Sequence, residues 1–344
     1  MRALVVSGPG VVALQDHPDP VISTGYLLVR PTVVGMCGTD LEIIDGSIDP
    51  AYVRLPLVLG HEWSGVVVDA GTSTDAPPVN SRVVVEGIVP CRHCSACQAG
   101  DTNRCATYDE FGFVRDGAAA DLVAAPVDLV HVLDPSVSAE SGALVEPAAV
   151  VLRALLRAAP RPGQRVLVVG DGTVGLLAVR LARLWSPASV TLLGIRAEQA
   201  PLAAAAGADR FVTNAADAGA GYDLVVEAAG APTAVAAALR APARGGTVVL
   251  LGLAGNGRVA ELLIDDLVNG DVSLLGSFSY TATAWAQVVQ LLNSGRLDLG
   301  FLVTHRFALA DWAAAISALR TPVGARGKVL LQVGPDTTPT SATA

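Results

Sequence analysis

The sequence predicts an α/β protein of two domains, a mainly β domain followed by a doubly wound parallel sheet. Three observations lead there. The chain has 344 residues, too many for one hydrophobic core, since single cores stop growing near about 250 to 300 residues. Residues 1 to about 130 hold short Val-rich runs punctuated by Pro and Gly, the mark of an irregular β domain. From Arg165 the rhythm becomes strand, Gly-rich turn, helix, strand, which indicates βαβ units and a parallel sheet.

In chain order, Ala3 to Val6, Leu27 to Val34, Gly65 to Val68, Arg82 to Val85 and Asp121 to Ala124 read as strands. Between Ser141 and Ala159 the residues Leu144, Ala148, Val151, Leu152, Leu155 and Leu156 recur at helical spacing, until Pro160-Arg161-Pro162-Gly163 stops the helix. Val166 to Val169 is then a strand, Gly170 to Gly175 a turn, Leu176 to Trp185 a helix and Ser189 to Leu193 a strand, with further strands at Leu224 to Glu227 and Thr247 to Leu251. Helices at Ala284 to Asn293 and Ala310 to Ala318 and a strand at Lys328 to Val333 close the chain. The expected organisation is residues 1–150 with 281–344 as one domain and 151–280 as the other. The tail after Val333 reads as unstructured, and no internal repeat is visible.

Composition narrows the function. With 51% hydrophobic and 16% charged residues, 35 Gly and 21 Pro, the chain is neither disordered, collagenous nor a coiled coil. Charge, Gly or Pro breaks every apolar stretch before 18 residues, so no membrane span is expected. Met1 to Pro20 lacks a charged, then apolar, then small-residue pattern, and a cytoplasmic location is the expectation. A net charge of −9 and a pI of 5.0 argue against nucleic acid as partner. One lysine, Lys328, among 23 basic residues, and no G-x-x-x-x-G-K-[ST], argue against Schiff-base and P-loop chemistry.

Four of the five cysteines, Cys91, Cys94, Cys97 and Cys105, lie in one Gly- and Pro-flanked loop. Their spacing predicts a structural zinc held by four thiolates with no open position, so this metal braces a loop and does not touch substrate. His93 is surplus to the ligand count and reads as a solvated loop residue. The fifth, Cys37, stands in Gly35-Met36-Cys37-Gly38-Thr39-Asp40, while His61 and Glu62 stand in Gly60-His61-Glu62-Trp63-Ser64-Gly65. Each is a weak signal alone. With Glu146 of Glu146-Pro147 they supply Cys, His and carboxylate, three ligands and one open place, as a catalytic zinc requires.

Val166 to Val169 leads into Gly170-Asp171-Gly172-Thr173-Val174-Gly175 and a helix. Strand, G-x-G-x-x-G and helix in that order form a dinucleotide site: the glycines allow the tight turn and close backbone approach, and the helix N-terminus favours the pyrophosphate. The end of the second strand decides the cofactor form. An NAD site wants Asp or Glu there, but this chain has Gly194, with Arg196 two places on. Loss of the acid and gain of a guanidinium favour the 2′-phosphate of NADP(H), with NAD(H) as the alternative and Glu198 close enough to oppose the choice.

These residues resemble the zinc-containing medium-chain dehydrogenases and reductases over nearly the whole chain. The resemblance rests on Cys37-Gly-Thr-Asp, on Gly60-His61-Glu62-x-x-Gly65 followed by Gly71, on the four-cysteine lobe, on Glu146-Pro147 and on Gly170-x-Gly172-x-x-Gly175. It implies a GroES-like catalytic domain, a Rossmann domain and two zinc ions per chain. By position Cys37 and His61 are the implied catalytic zinc ligands, and Glu62 the carboxylate that enters or leaves the metal. Glu146 takes the remaining ligand position, directly or through the zinc water, as in the polyol and sugar branch. Asp40 would hold the imidazole of His61, Thr39 would pass the substrate proton outward, and Glu42 replaces a histidine common in relatives at the end of that relay.

The implied activity is hydride transfer between NAD(P) and a secondary alcohol or ketone, a polyol, sugar or cyclitol, in a homodimer or homotetramer. An isomerase or lyase that returns the hydride to the same substrate, or a non-catalytic cofactor-binding protein, would share these motifs. Tyr52, Trp63, Phe111, Phe278 and Trp285 either line the substrate pocket or fill core.

Overall fold

The computed structural model describes residues 1–255 and 257–335; the tail expected to be unstructured lies, from residue 336, outside the described residues. The chain forms two compact units. The first comprises Met1–Glu146, Trp285–Thr321 and the segment from Lys328, the second Pro147–Ala284 and Pro322–Gly327.

The first unit contains β1 (Arg2–Gly8), β2 (Val11–Asp16), β3 (Tyr26–Met36), β4 (Leu57–Val58), β5 (Glu62–Asp69), β6 (Arg82–Val85), β7 (Ile88–Val89), β8 (Asp109–Glu110), β9 (Val123–Pro126) and β10 (Val130–Val132). The second contains β11 (Arg165–Val169), β12 (Ser189–Leu193), β13 (Arg210–Val212), β14 (Tyr222–Glu227), β15 (Pro242–Leu250) and β16 (Ser273–Gly276), after which β17 (Val303–Ala308) and β18 (Lys328–Gln332) belong again to the first.

In the first unit the long strand β3 is the spine. It pairs antiparallel with β5, β9 and β18, in a sheet ordered β10-β6-β5-β3-β18-β17 with β9 attached to β3. Leu27, Val29, Val34 and Met36 of β3 pack with Trp63, Val67, Phe111 and Val329 in a closed apolar core. Register then places chemistry. Gly35 lies opposite Glu62 on one side and Leu330 on the other, and Val329 lies opposite Met36. The end of β3, the start of β5 and the start of β18 therefore meet at one corner of the sheet.

In the second unit six parallel strands run in the order β13-β12-β11-β14-β15-β16. The buried Val166, Leu167, Val168 and Val169 of β11 form the continuous apolar run of a strand covered on both faces. Strand order reverses beside β11, so the ligand crevice of such a sheet falls at the C-terminal ends of β11 and its neighbours. No helix among the described residues is long and apolar enough to cross a membrane.

Candidate active site and metal centres

Cys37 directly follows β3 and caps the helix Gly38–Asp45. Its sulfur accepts the Thr39 amide at 3.3 Å, while the Asp40 carboxylate accepts the Cys37 amide at 2.8 Å, a reciprocal cap that fixes both side chains. His61, buried just before β5, places Nε2 3.2 Å from the Cys37 sulfur and its ring 5.1 Å from that of Phe113. Its Nδ1 lies 3.6 Å from Asp40 Oδ1, within ion-pair reach but longer than a hydrogen bond, and neither atom has a hydrogen-bond partner among the described residues. Burial opposes the imidazolium, but the charges of Cys37 and Asp40 outweigh it and hold the His61 pKa well above its ordinary value.

Cys37, His61 and Glu62 bring one ligand atom each to within 4.8 Å of one another. A thiol, an imidazole and a carboxylate, buried or half-buried and converging with orphaned polar atoms, fit a zinc ion in chemistry and in spacing. Glu146, at the start of the helix Val145–Ala158, is not one of that trio. Burial and the Glu62 charge nevertheless push its pKa up to about 8, with His61 opposing, so its carboxyl feels the charges of that group. Thr39 stands beside Cys37, half-buried, whereas the Glu42 side chain is exposed.

Lys328, dismissed above for Schiff-base chemistry, is a structural surprise. It is 1% exposed, and its ammonium pairs with Glu62 Oε2 at the corner where β18, β3 and β5 meet. Gly35 makes the space: a Cβ there would lie 2.5 Å from Glu62 Oε2 and 2.7 Å from Lys328 Cε. Glu110 was missed as well. Burial lifts its pKa to about 7, with His61 opposing, yet nothing in Asp109-Glu110-Phe111 signals this. Of the aromatic candidates, Trp63, Phe111 and Trp285 are buried, while Tyr52 and Phe278 are exposed.

In the lobe, all four thiols come within 4.8 Å of one another. Cys94 and Cys97 sulfurs are 3.5 Å apart and those of Cys91 and Cys97 3.9 Å. Zn–S bonds of about 2.3 Å at tetrahedral angles put sulfurs about 3.8 Å apart, so the thiols stand at zinc-site spacing. None is in a disulfide. Amide hydrogen bonds from His93 and Cys94 lower the Cys91 pKa to about 5, while burial raises that of Cys97 to about 12. His93 is exposed, with Nδ1 2.7 Å from the Cys91 carbonyl oxygen.

In the second unit, β11 runs into Gly170 (φ 120°) and the helix Thr173–Ala182, which Gly172 caps. A Cβ on Gly175 would lie 1.7 Å from the Gly170 carbonyl oxygen, so only glycine permits this packing, while Gly172 faces open space. At the end of β12, Asp171 Oδ2 accepts the Ile195 amide at 3.0 Å and the Arg196 amide at 3.1 Å. A Cβ on Gly194 would meet that same oxygen at 2.5 Å. The glycine at 194 thus makes room for Asp171, a cause the sequence reading did not contain.

Two family models match the chain: the alcohol dehydrogenase GroES-like domain over residues 23–135 and the zinc-binding dehydrogenase over residues 173–294. Sorbitol dehydrogenase of Bacillus subtilis (strain 168) is 30% identical over 322 residues, 90% of each chain. A Sinorhizobium meliloti 1021 protein described as a zinc-binding dehydrogenase and solved bound to NADP superposes with a TM-score of 0.90 at 28% identity, over 96% of this chain and 99% of that one. A short chain alcohol dehydrogenase of Escherichia coli CFT073, complexed with NADH, gives 0.89 at 25% identity, over 97% and 99%.

Proposed function

We propose a substrate class and residue roles from one premise: the chain belongs to the zinc-binding alcohol dehydrogenases, the medium-chain dehydrogenase/reductase family, and is an NAD(P)-linked oxidoreductase. Its substrate is a secondary alcohol or ketone with neighbouring hydroxyls, a polyol, sugar or cyclitol. The observation that carries this reading is the convergence of Cys37, His61 and Glu62, with the Glu146 carboxyl under the charges of Glu62 and His61. A relative named sorbitol dehydrogenase supports it.

Cys37, His61 and Glu146 would hold the catalytic zinc, Glu146 directly or through a water; its place outside the tight trio suits the water. When bound, the zinc polarises the substrate oxygen and lowers the pKa of its hydroxyl. Thr39 accepts the hydroxyl proton and hands it toward exposed Glu42. When bound at the turn Gly170 to Gly175, NAD(P) would supply the hydride acceptor for the carbinol hydrogen. Asp40 fixes the Cys37 cap and faces the outer nitrogen of His61. Lys328 gives Glu62 a counter-charge when the carboxylate is off the metal.

Cys91, Cys94, Cys97 and Cys105 would hold a second, structural zinc. Gly170, Gly172, Thr173, Val174 and Gly175 would receive the pyrophosphate, and Gly194 with Arg196 would favour NADP(H) over NAD(H). A homodimer or homotetramer joined through β16, one of the two edge strands of the parallel sheet, suits the exposed Leu263, Ile264 and Val268 of the adjoining segment. The test is a panel of polyols, sugars, cyclitols and simple secondary alcohols with each cofactor, following reduced nicotinamide by absorbance, with zinc counted by elemental analysis. Turnover of vicinal polyols with NADP and two zinc ions per chain are expected. Preference for simple alcohols defeats the substrate class, and a single zinc defeats the two-site reading.

A further inference from the structure

We infer that Arg326 is the second cationic arm, with Arg196, of a site for the 2′-phosphate of NADP(H). The inference rests on the NADP reading above and adds a residue from a distant part of the chain, in a segment, Pro322–Gly327, that folds with the second unit.

Gln199 roots the site. Fully buried, it donates its side-chain amide to the carbonyls of Asp171 and Arg326, the latter at 2.9 Å, and its Oε1 accepts the Arg326 amide at 2.8 Å. Its own backbone amide donates to the Arg196 carbonyl at 3.0 Å. A further tie comes from Thr173, whose hydroxyl donates to the Gly327 carbonyl at 3.2 Å. Arg326 is therefore pinned against the dinucleotide-binding turn from both sides, beside Arg196.

The electrostatics match an anion. Burial and the Arg196 charge both lower the Arg326 pKa, with Asp171 opposing. Two half-buried guanidinium groups on backbones that Gln199 ties together act on each other as like charges. Arg196 Nη1 is buried without a hydrogen-bond partner among the described residues. Asp171 Oδ2 is committed to the Ile195 and Arg196 amides. A dianion would relieve both the repulsion and the unmet donor. The position selects which dianion: the end of β12 is where the adenosine ribose is read, whereas the pyrophosphate belongs at Gly172. A phosphate on the ribose 2′-oxygen is the group that fits.

Calorimetric titration of the intact protein with adenosine 2′,5′-bisphosphate and with adenosine 5′-diphosphate tests this. Arg326→Gln should weaken the bisphosphate by roughly 10- to 100-fold, the worth of a charge-assisted hydrogen bond, and change the diphosphate by less than about 3-fold. Arg326→Lys keeps the charge and loses the fork, and should lose less, again only for the bisphosphate; it serves if the glutamine variant does not fold. Equal losses for both ligands, or none, overturn the inference. If the unaltered protein binds the two ligands equally, the NADP reading fails and this inference with it. If it prefers the bisphosphate and both Arg326 variants keep that preference, Arg326 alone is excluded and Arg196 remains.

Discussion

The two cysteine sites of the first unit solve the same chemical problem in opposite ways. The lobe takes its four candidate ligands, Cys91, Cys94, Cys97 and Cys105, from one short loop, and their sulfurs lie within 4.8 Å of one another. The Cys37 site draws on the ends of two sheet strands and adds a buried lysine from a third. A local site needs only its loop to close. A site at a sheet corner inherits the rigidity of the whole core, and here it buries an ion pair, Lys328 with Glu62.

The largest expected difference is catalytic. His61→Ala should lower kcat by at least ~10³-fold, the several kcal/mol a bound metal contributes, with the melting temperature shifted by less than about 3 °C. Turnover retained in this variant would remove His61 from the chemistry.

Next comes the buried pair. Lys328→Met leaves Glu62 buried without a counter-charge and should cost about 3–5 kcal/mol in metal-free protein. Urea unfolding should show a smaller loss once zinc is supplied, since Glu62 can then turn to the metal, and a smaller loss in the Glu62→Gln, Lys328→Met double variant. A cost below about 1 kcal/mol in every form would mean the pair is idle.

A more modest effect is expected in the lobe. Cys97→Ser should release one of two zinc equivalents and lower the melting temperature by ~5–10 °C, while folded molecules keep their turnover. If the loss fell on kcat instead, structural and catalytic assignments would have to be exchanged.

The subtlest contrast is in pH. Glu146 and His61 have folded pKa values above their unfolded ones, so each stabilises fully below the unfolded value and loses that contribution as pH rises through the folded one; for Glu146 the window runs from 4.5 to about 8. Cys91, lowered from 9.0 to about 5, does the reverse and loses its contribution as pH falls through that range. In metal-free protein, hydrogen exchange corrected for intrinsic rates should open the Cys37 site more readily as pH rises and the lobe more readily as pH falls. Slopes of the same sign would break the comparison, and Glu146→Gln should flatten the first slope alone.

How legible each site was follows from the same contrast. The lobe could be read from spacing because its ligands are neighbours in sequence. The trio could be read only by combining separate motifs, each weak alone, and its lysine was invisible, since Lys328 reaches Glu62 through strand register and not through any local pattern. Gly194 was read as a missing acid, while its packing cause, the Asp171 carboxylate, belongs to the Gly-rich turn after β11, far back in the chain, and shows only in three dimensions. Val-rich strands such as β3 and β11 were legible because their apolar runs are buried. β2 and β17 were not, because Val11-Val-Ala-Leu-Gln-Asp16 and Val303-Thr-His-Arg-Phe-Ala308 consist of exposed and half-buried positions apart from Val303 and carry too little apolar signal.

The allocation of Pro322–Gly327 to the second unit matters to anyone who would build with this protein. A chimaera that exchanges cofactor preference by swapping the continuous stretch Pro147–Ala284 would carry Arg196 and Gln199 to the new host but leave Arg326 behind. The side chain of Gln199, shaped to hold a backbone no longer of its own lineage, would then meet whatever peptide the host supplies. A faithful transplant takes two pieces, the second only six residues long.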